Sequence, residues 1–192
     1  SVKKPLIWVA VSGFPRQASG TKKSLCNIAE AEAIVSYCKE YKARMDAAGI
    51  ELHHGKLIVL SLYEGQRIMV TKLLKENELE KIPVYNVDSF QGQEADDVLI
   101  SLVVGDRGSS FAVDRNRACV LLSRAKRLMY IFGDIESVKA TRRSHNRVGV
   151  DNIWRSLANY CEKNHWVANE DDLRDMVSSN VKADAEFRDQ GD

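Results

Sequence analysis

Few of the features that narrow a function at once are present in this sequence. Its 192 residues hold four cysteines, Cys26, Cys38, Cys119 and Cys161, and no Cys-x-x-Cys pair. That spacing does not suit a zinc site or a disulfide frame, and buried free thiols of an intracellular chain are the reading. The four histidines, His53, His54, His145 and His165, have no cysteine or carboxylate at ligand spacing, so no metal site is expected and "HHG" reads as a turn. No apolar run approaches the roughly 20 residues that span a bilayer. The longest, "LIWVAV" and "LIVLSL", suit buried strands instead. No charged-then-apolar leader opens the chain, and because it starts at Ser1 rather than Met it is expected to be part of a longer protein. The Gly-x-x-x-x-Gly-Lys-Ser/Thr run that cradles phosphates is missing, since "SGTKKS" at 19–24 has its residues in the wrong order. Also missing is an Asp-Glu pair at a strand end that could hold a divalent cation.

Strong net charge is absent too, with a formal value of +1. The distribution is less even. Residues 170–192 carry eight acidic and three basic side chains, which leaves 25 basic and 19 acidic over residues 1–169. A basic body with an acidic tail permits contact with a phosphate backbone without requiring it.

What is there is ordinary globular composition, 44% hydrophobic and 29% charged, in a chain long enough for one substantial core. Apolar runs at 6–11, 56–62, 84–87, 96–103 and 127–133 read as strands, with a short one in "WVA". Between them lie helical patterns. Asn27 is a candidate N-cap for a long helix whose Ala31, Ile34, Val35, Cys38, Tyr41, Met45 and Ala48 recur at helical spacing, closed by Gly49. Further helices are expected over 65–77, 114–126 and 153–165, while 12–24 and 137–152 read as loops. Strands that are apolar throughout and alternate with helices imply an α/β fold, a mostly parallel sheet covered on both faces. Ligands in such folds gather at the carboxyl ends of the strands. The loop "DSFQGQE" follows the strand "VYNV" and is therefore expected there.

Three stretches carry chemistry. In "DSFQGQE", Gly92 lets a ligand approach the backbone, and neighbouring amides suit phosphate oxygens. Gln91, Gln93, Glu94, Asp88 and Ser89 supply donors and acceptors for a sugar or a bridging water. The alternative is a polar loop that caps itself. In "RNRACVLLSRAK", Arg117 and Arg124 stand seven apart on one helical face. An arginine at the helix end could reach a phosphate, for which its planar fork is suited, or could belong to a salt-bridged surface helix. In "LSLYEGQR", Tyr63 could stack on a base or fill the edge of the core, with Gln66 beside it.

Order and spacing together resemble the second RecA-like domain of superfamily 1 helicases, in the up-frameshift-like RNA helicase group. "LYEGQR" is similar to motif IV, "VDSFQGQEADDVLIS" to motif V, and "NRACVLLSRAK" followed by "MYIFGD" to motif VI and its strand. "NIAEAEAI" at 27–34 resembles the Asn-x-x-Glu-Ala helix start, and "IWRSLANYCEKNHWV" the terminal helix of that group. Residues 6–168 carry the resemblance, and "NRACVLLSRAK" is most similar to the NFX-type zinc-finger branch. The resemblance implies a RecA-like domain of the P-loop NTPase type over residues 1–168, followed by an acidic tail, 169–192, expected to be loosely docked or disordered.

It also implies a division of labour. Such a domain forms half of an ATP site against a first RecA-like domain, which holds the phosphate-binding loop and most of the Mg²⁺ contacts. Gly92, Gln93, Glu94 and Arg117 are then expected at the nucleotide, with Arg124 as the catalytic arginine finger. Asp88, Ser89, Tyr63 and Gln66 are expected toward single-stranded RNA, or DNA. The isolated chain is expected to be inactive, and the full protein intracellular, in the cytoplasm or nucleus. One departure stands out. Ile28 occupies the position where the family places a second phosphate-contacting arginine, which supports an alternative: a degenerate domain that binds RNA or protein without turnover. Arg16, Lys22 or Lys23 could supply the missing charge.

Overall fold

A computed structural model of the chain describes residues 6–19, 24–53, 55–104, 115–140, 153–173, 175 and 177. Six strands form one sheet: β1 (Leu6–Ala10), β4 (Leu57–Ser61), β5 (Val84–Asn86), β6 (Ala95–Ser101), β7 (Ala125–Gly133) and β8 (Val167–Ala168). Their order is β5-β4-β6-β7-β1-β8, and every pairing is parallel. A separate two-residue ribbon pairs β2 (Arg16–Gln17) with β3 (Leu25–Cys26).

Because successive side chains on a strand point to opposite faces, continuous apolar strands need cover on both. Leu57, Val59, Leu99, Tyr130 and Phe132 face one core, together with helices α1 (Ile28–Ala47) and α2 (Glu64–Glu76). Ile58, Leu60, Val98, Ile100 and Ile131 face the other, under α3 (Arg115–Leu122), α4 (Ile135–Ala140) and α5 (Ile153–Lys163). In the first core Tyr37 packs its ring 4.8 Å from that of Tyr130. Leu173 and Val177 are buried in the same core, so packing continues beyond β8. Of the acidic tail, residues 178–192 lie outside the described residues, as do Lys22 and Lys23. Among the described residues no helix is long and apolar enough to cross a membrane, and no group of side chains could hold a metal ion. Cys26, Cys38 and Cys161 are buried thiols and Cys119 is exposed. Burial pushes the Cys161 thiol up to about 11.

The structure departs from expectation in four places. The loop expected over 12–24 contains β2 and leads into the β2–β3 ribbon, which packs on the start of α2: the Gly65 amide donates to Ser24 Oγ at 2.7 Å. A Cβ at Gly65 would stand 2.4 Å from that of Ala18, so only glycine permits this approach. Helix α4 lies where a loop was expected from 137 onward. Its start is capped by Asp134, whose Oδ1 accepts the Glu136 and Ser137 amides at 3.0 and 3.1 Å. Helix α3 ends at Leu122 rather than at 126, because the chain must turn through Ser123 and Arg124 to enter β7 at Ala125. Arg117 and Arg124 therefore do not share one helical face.

The fourth correction concerns the glycine loop. β5 and β6 are both parallel to β4, so the chain leaving β5 at the carboxyl edge must return to the amino edge before β6 begins. It does so through a short 3-10 turn, Val87–Phe90, whose Val87 and Phe90 are buried under the sheet. Only Asp88 and Ser89 follow the carboxyl end of β5. Gln91–Glu94 continue the crossing and deliver the chain to the amino edge at Ala95, roughly 20 Å along the seven-residue strand from its carboxyl end.

Candidate functional site

At the amino edge the structure brings Arg124 and the glycine loop together. Three hydrogen bonds hold the guanidinium of Arg124. Nε donates to the Val120 carbonyl at 2.8 Å, Nη1 to the Gln93 carbonyl at 3.0 Å, and Nη2 to Ser123 Oγ at 2.7 Å. The backbones join as well, since the Ala95 amide donates to the Arg124 carbonyl at 3.0 Å. Among the described residues each of these partners is neutral, two carbonyls and a hydroxyl. Gly92 has φ +81°, in the left-handed region, and an added Cβ there would meet nothing within 4 Å. Backbone conformation therefore demands this glycine, and the loop presents an open face. Glu94 is exposed and lies 4.0 Å from Lys126 Nζ.

Asp88, Ser89 and Arg117 form a second cluster beside it. Arg117 Nε and Nη2 donate to the two carboxylate oxygens of Asp88 at 3.2 and 3.3 Å, tying α3 to the 3-10 turn. Arg117, expected at the nucleotide, and Asp88, expected at nucleic acid, are thus paired with each other. The pair is solvent-accessible, and such pairs contribute at most about 1 kcal/mol, so it can open for a ligand. Ser89 Oγ donates to the Asn86 carbonyl at 2.8 Å and remains exposed.

Tyr63 and Gln66 turn inward. Tyr63 is 7% exposed, and Gln66 is fully buried at the carboxyl edge. Gln66 Oε1 accepts the Asn27 amide at 2.8 Å, and its Nε2 donates to the Asn27 carbonyl at 3.1 Å and Ser101 Oγ at 2.9 Å. In this conformation neither side chain offers a face to a base.

The same edge holds a group whose importance the sequence did not disclose. Glu30 is fully buried in the first turn of α1, and burial pushes its carboxyl from 4.5 to about 7. Hydrogen bonds from Ser101, Val103 and Asn27 act in the opposite direction but do not cancel the effect. The folded state therefore holds this proton more tightly than the unfolded chain. Its stabilising contribution is complete below about pH 4.5 and is lost as pH rises through about 7. Urea denaturation at pH 5 and pH 8 should show this loss in wild type, and Glu30→Gln should remove that part of the slope. An identical pH dependence in the two proteins would contradict the assignment. Asn27 and Glu30 were visible in the sequence only as a helix start, and burial was the missing information. Ile28 opens α1 at this carboxyl edge, partly exposed, about a strand's length from Arg124.

Comparison with known proteins gives the following. A family described as AAA domain matches residues 1–136. Human NFX1-type zinc finger-containing protein 1 is 28% identical over 186 residues, covering 91% of this chain and 9% of that protein. The Schizosaccharomyces pombe protein named helicase required for RNAi-mediated heterochromatin assembly 1 is 34% identical over 120 residues, or 60% of this chain and 11% of its own length. Dictyostelium discoideum regulator of nonsense transcripts 1 is 32% identical over 135 residues, 66% of this chain and 9% of that protein. The chain spans about a tenth of the length of these relatives.

Proposed function

Because this chain belongs to the AAA domain family, within the superfamily 1 up-frameshift-like helicases and toward their NFX-type branch, we propose that it is the second RecA-like domain and C-terminal motor half of an ATP-dependent RNA helicase. The observation that carries this reading is Arg124, fixed by three neutral acceptors against the loop that contains Gly92. A guanidinium held in place before a nucleotide arrives needs little reorganisation to stabilise charge on a transferring phosphoryl group. In the closed cleft Arg124 is the arginine finger. The open backbone at Gly92 and Gln93 receives phosphate oxygens, and Glu94 accepts from the ribose. Arg117, released from Asp88, adds a second positive charge.

ATP with Mg²⁺ is the energy source, and the cation is held mainly by a first RecA-like domain. Asp88 and Ser89, displaced from the nucleotide loop toward the other end of the crossing segment, face single-stranded RNA, with DNA as the competitor to test. We place the protein inside the cell, in the cytoplasm or nucleus. The chain alone, without a phosphate-binding loop, hydrolyses no ATP. The test is steady-state ATP hydrolysis by the full-length protein with and without single-stranded RNA or DNA. RNA-stimulated turnover supports the motor. RNA binding without turnover would instead favour a non-hydrolysing scaffold, the reading that Ile28 at the start of α1 supports.

Gly92→Val tests the loop. The left-handed conformation costs a residue with a Cβ about 1–2 kcal/mol, but nothing nearby is struck. The domain should therefore fold while the loop loses its shape, and RNA-stimulated turnover should drop at least about tenfold. Unchanged turnover would make the loop merely structural.

A further inference from the structure

The proposed chemistry leaves one buried carboxylate unused. Among the described residues Glu30 accepts hydrogen bonds from Ser101, Asn27 and the Val103 amide. Ser101 Oγ donates to Oε2 at 2.6 Å, and Asn27 Nδ2 to Oε1 at 3.1 Å. The Val103 amide forks to both oxygens at 3.1 and 3.0 Å. Gln66 closes the ring through Asn27 and Ser101. The side chain thus joins the start of α1, the start of α2 and the tail of β6. Val103 is unusual in its own right. Its φ is +54°, a left-handed conformation that is a genuine outlier for a β-branched residue. Such strain persists only where the surroundings over-determine it, and it clusters at functional positions. At Val103 the carboxylate fork fixes the amide.

We propose that Glu30 is a positioning residue for the ATP-driven cycle: it pins the strained turn at Val103 to the starts of α1 and α2 and so fixes the carboxyl edge of the sheet. The proposal rests on the motor reading above. Its chemistry explains why a carboxylate is needed. The groups facing Glu30 are Asn27, Gln66, Ser101 and the amides of Leu102 and Val103, all uncharged, and its nearest partners donate. An ionised carboxylate is an acceptor only and satisfies them all. A glutamine, or a protonated Glu30, turns one acceptor into a donor and so weakens the fork at Val103.

The experiment uses the full-length protein as wild type, Glu30→Gln and Ser101→Ala. Three properties are measured: kcat and KM for ATP at saturating single-stranded RNA from pH 6 to 8.5, amide hydrogen exchange at Val103, and thermal melting. Glu30→Gln is expected to lower kcat about tenfold to a hundredfold. Its KM for ATP should stay within about twofold, because no nucleotide contact is touched. Exchange at Val103 should rise about tenfold. Ser101→Ala keeps the fork and should show a much smaller kcat loss. Wild-type kcat should fall as pH drops below about 7, and that fall should be absent in Glu30→Gln. A folded Glu30→Gln protein with wild-type kcat and unchanged Val103 exchange would overturn the proposal. So would a kcat loss fully explained by less folded protein. If wild type hydrolyses no ATP, the motor reading fails separately and Val103 exchange decides: faster exchange in Glu30→Gln keeps the latch, and unchanged exchange removes it.

Discussion

Replacing Arg124 by alanine in the full-length protein is expected to reduce RNA-stimulated ATP hydrolysis about a thousandfold or more, the range associated with arginine fingers. Affinity for ATP should change little, since the effect belongs to the transition state. The fold should survive. Arg124 lies beyond the end of α3, partly exposed, and what the mutation removes is three hydrogen bonds to neutral acceptors rather than a buried ion pair. Arg124→Lys should recover little. A lysine ammonium is a point charge and cannot reach the Val120, Gln93 and Ser123 acceptors while also presenting a fork to phosphate. The measurement is kcat at saturating RNA and ATP, with circular dichroism confirming the fold. Turnover within about threefold of wild type in a folded Arg124→Ala protein would remove the finger assignment.

The largest stability effect is expected at Asp97. This carboxylate is fully buried in β6. Arg127 Nε donates to its Oδ1 at 2.9 Å, Arg127 Nη2 donates to Oδ2, and the Tyr41 hydroxyl donates to Oδ2 at 3.2 Å. The cluster links β6, β7 and α1 near the amino edge, behind the Arg124 loop. Removing one partner of such a pair leaves the other charge poorly compensated, which costs more than the intact pair contributes. Asp97→Ala should therefore destabilise the protein by about 3 kcal/mol. The value stands at the low end of the range because the Arg127 side chain keeps 25% exposure and retains some water. Urea denaturation checks it, and a loss below about 1 kcal/mol would mean that Arg127 rehydrates freely.

The layer architecture could be read from the sequence because periodicity reports burial directly. Apolar throughout, "LIVLS" had to be covered on both faces, and Leu57 and Ile58 indeed enter opposite cores. The long helix from Asn27 was visible for the same reason. What could not be read was anything that depends on where strands lie relative to one another. The sequence places "DSFQGQE" after a strand but does not say that the chain must cross the sheet to start a parallel neighbour. The loop was therefore expected at the wrong edge. Ser123 and Arg124 continue a helical pattern, and only the entry into β7 ends the helix before them. Gln66 and Tyr63 carry polar groups at a strand end, which suggests a ligand. Burial directs Gln66 instead to the backbone of Asn27, a partner 39 residues away. Asp134 is the opposite case. A Gly-Asp before an apolar turn is a capping signal, and it could have revealed α4.

The central claim is that Arg124 meets the transferring phosphoryl group of a nucleotide held by the neighbouring RecA-like domain. The most direct measurement is a structure of the full-length protein with ADP, Mg²⁺, aluminium fluoride and single-stranded RNA. The expected result places the Arg124 guanidinium at hydrogen-bond distance, about 3 Å, from the fluoride group, with the Gly92–Gln93 backbone beside it. A closed, nucleotide-loaded cleft in which Arg124 bonds only to Val120, Gln93 and Ser123, well away from the fluoride, would contradict it.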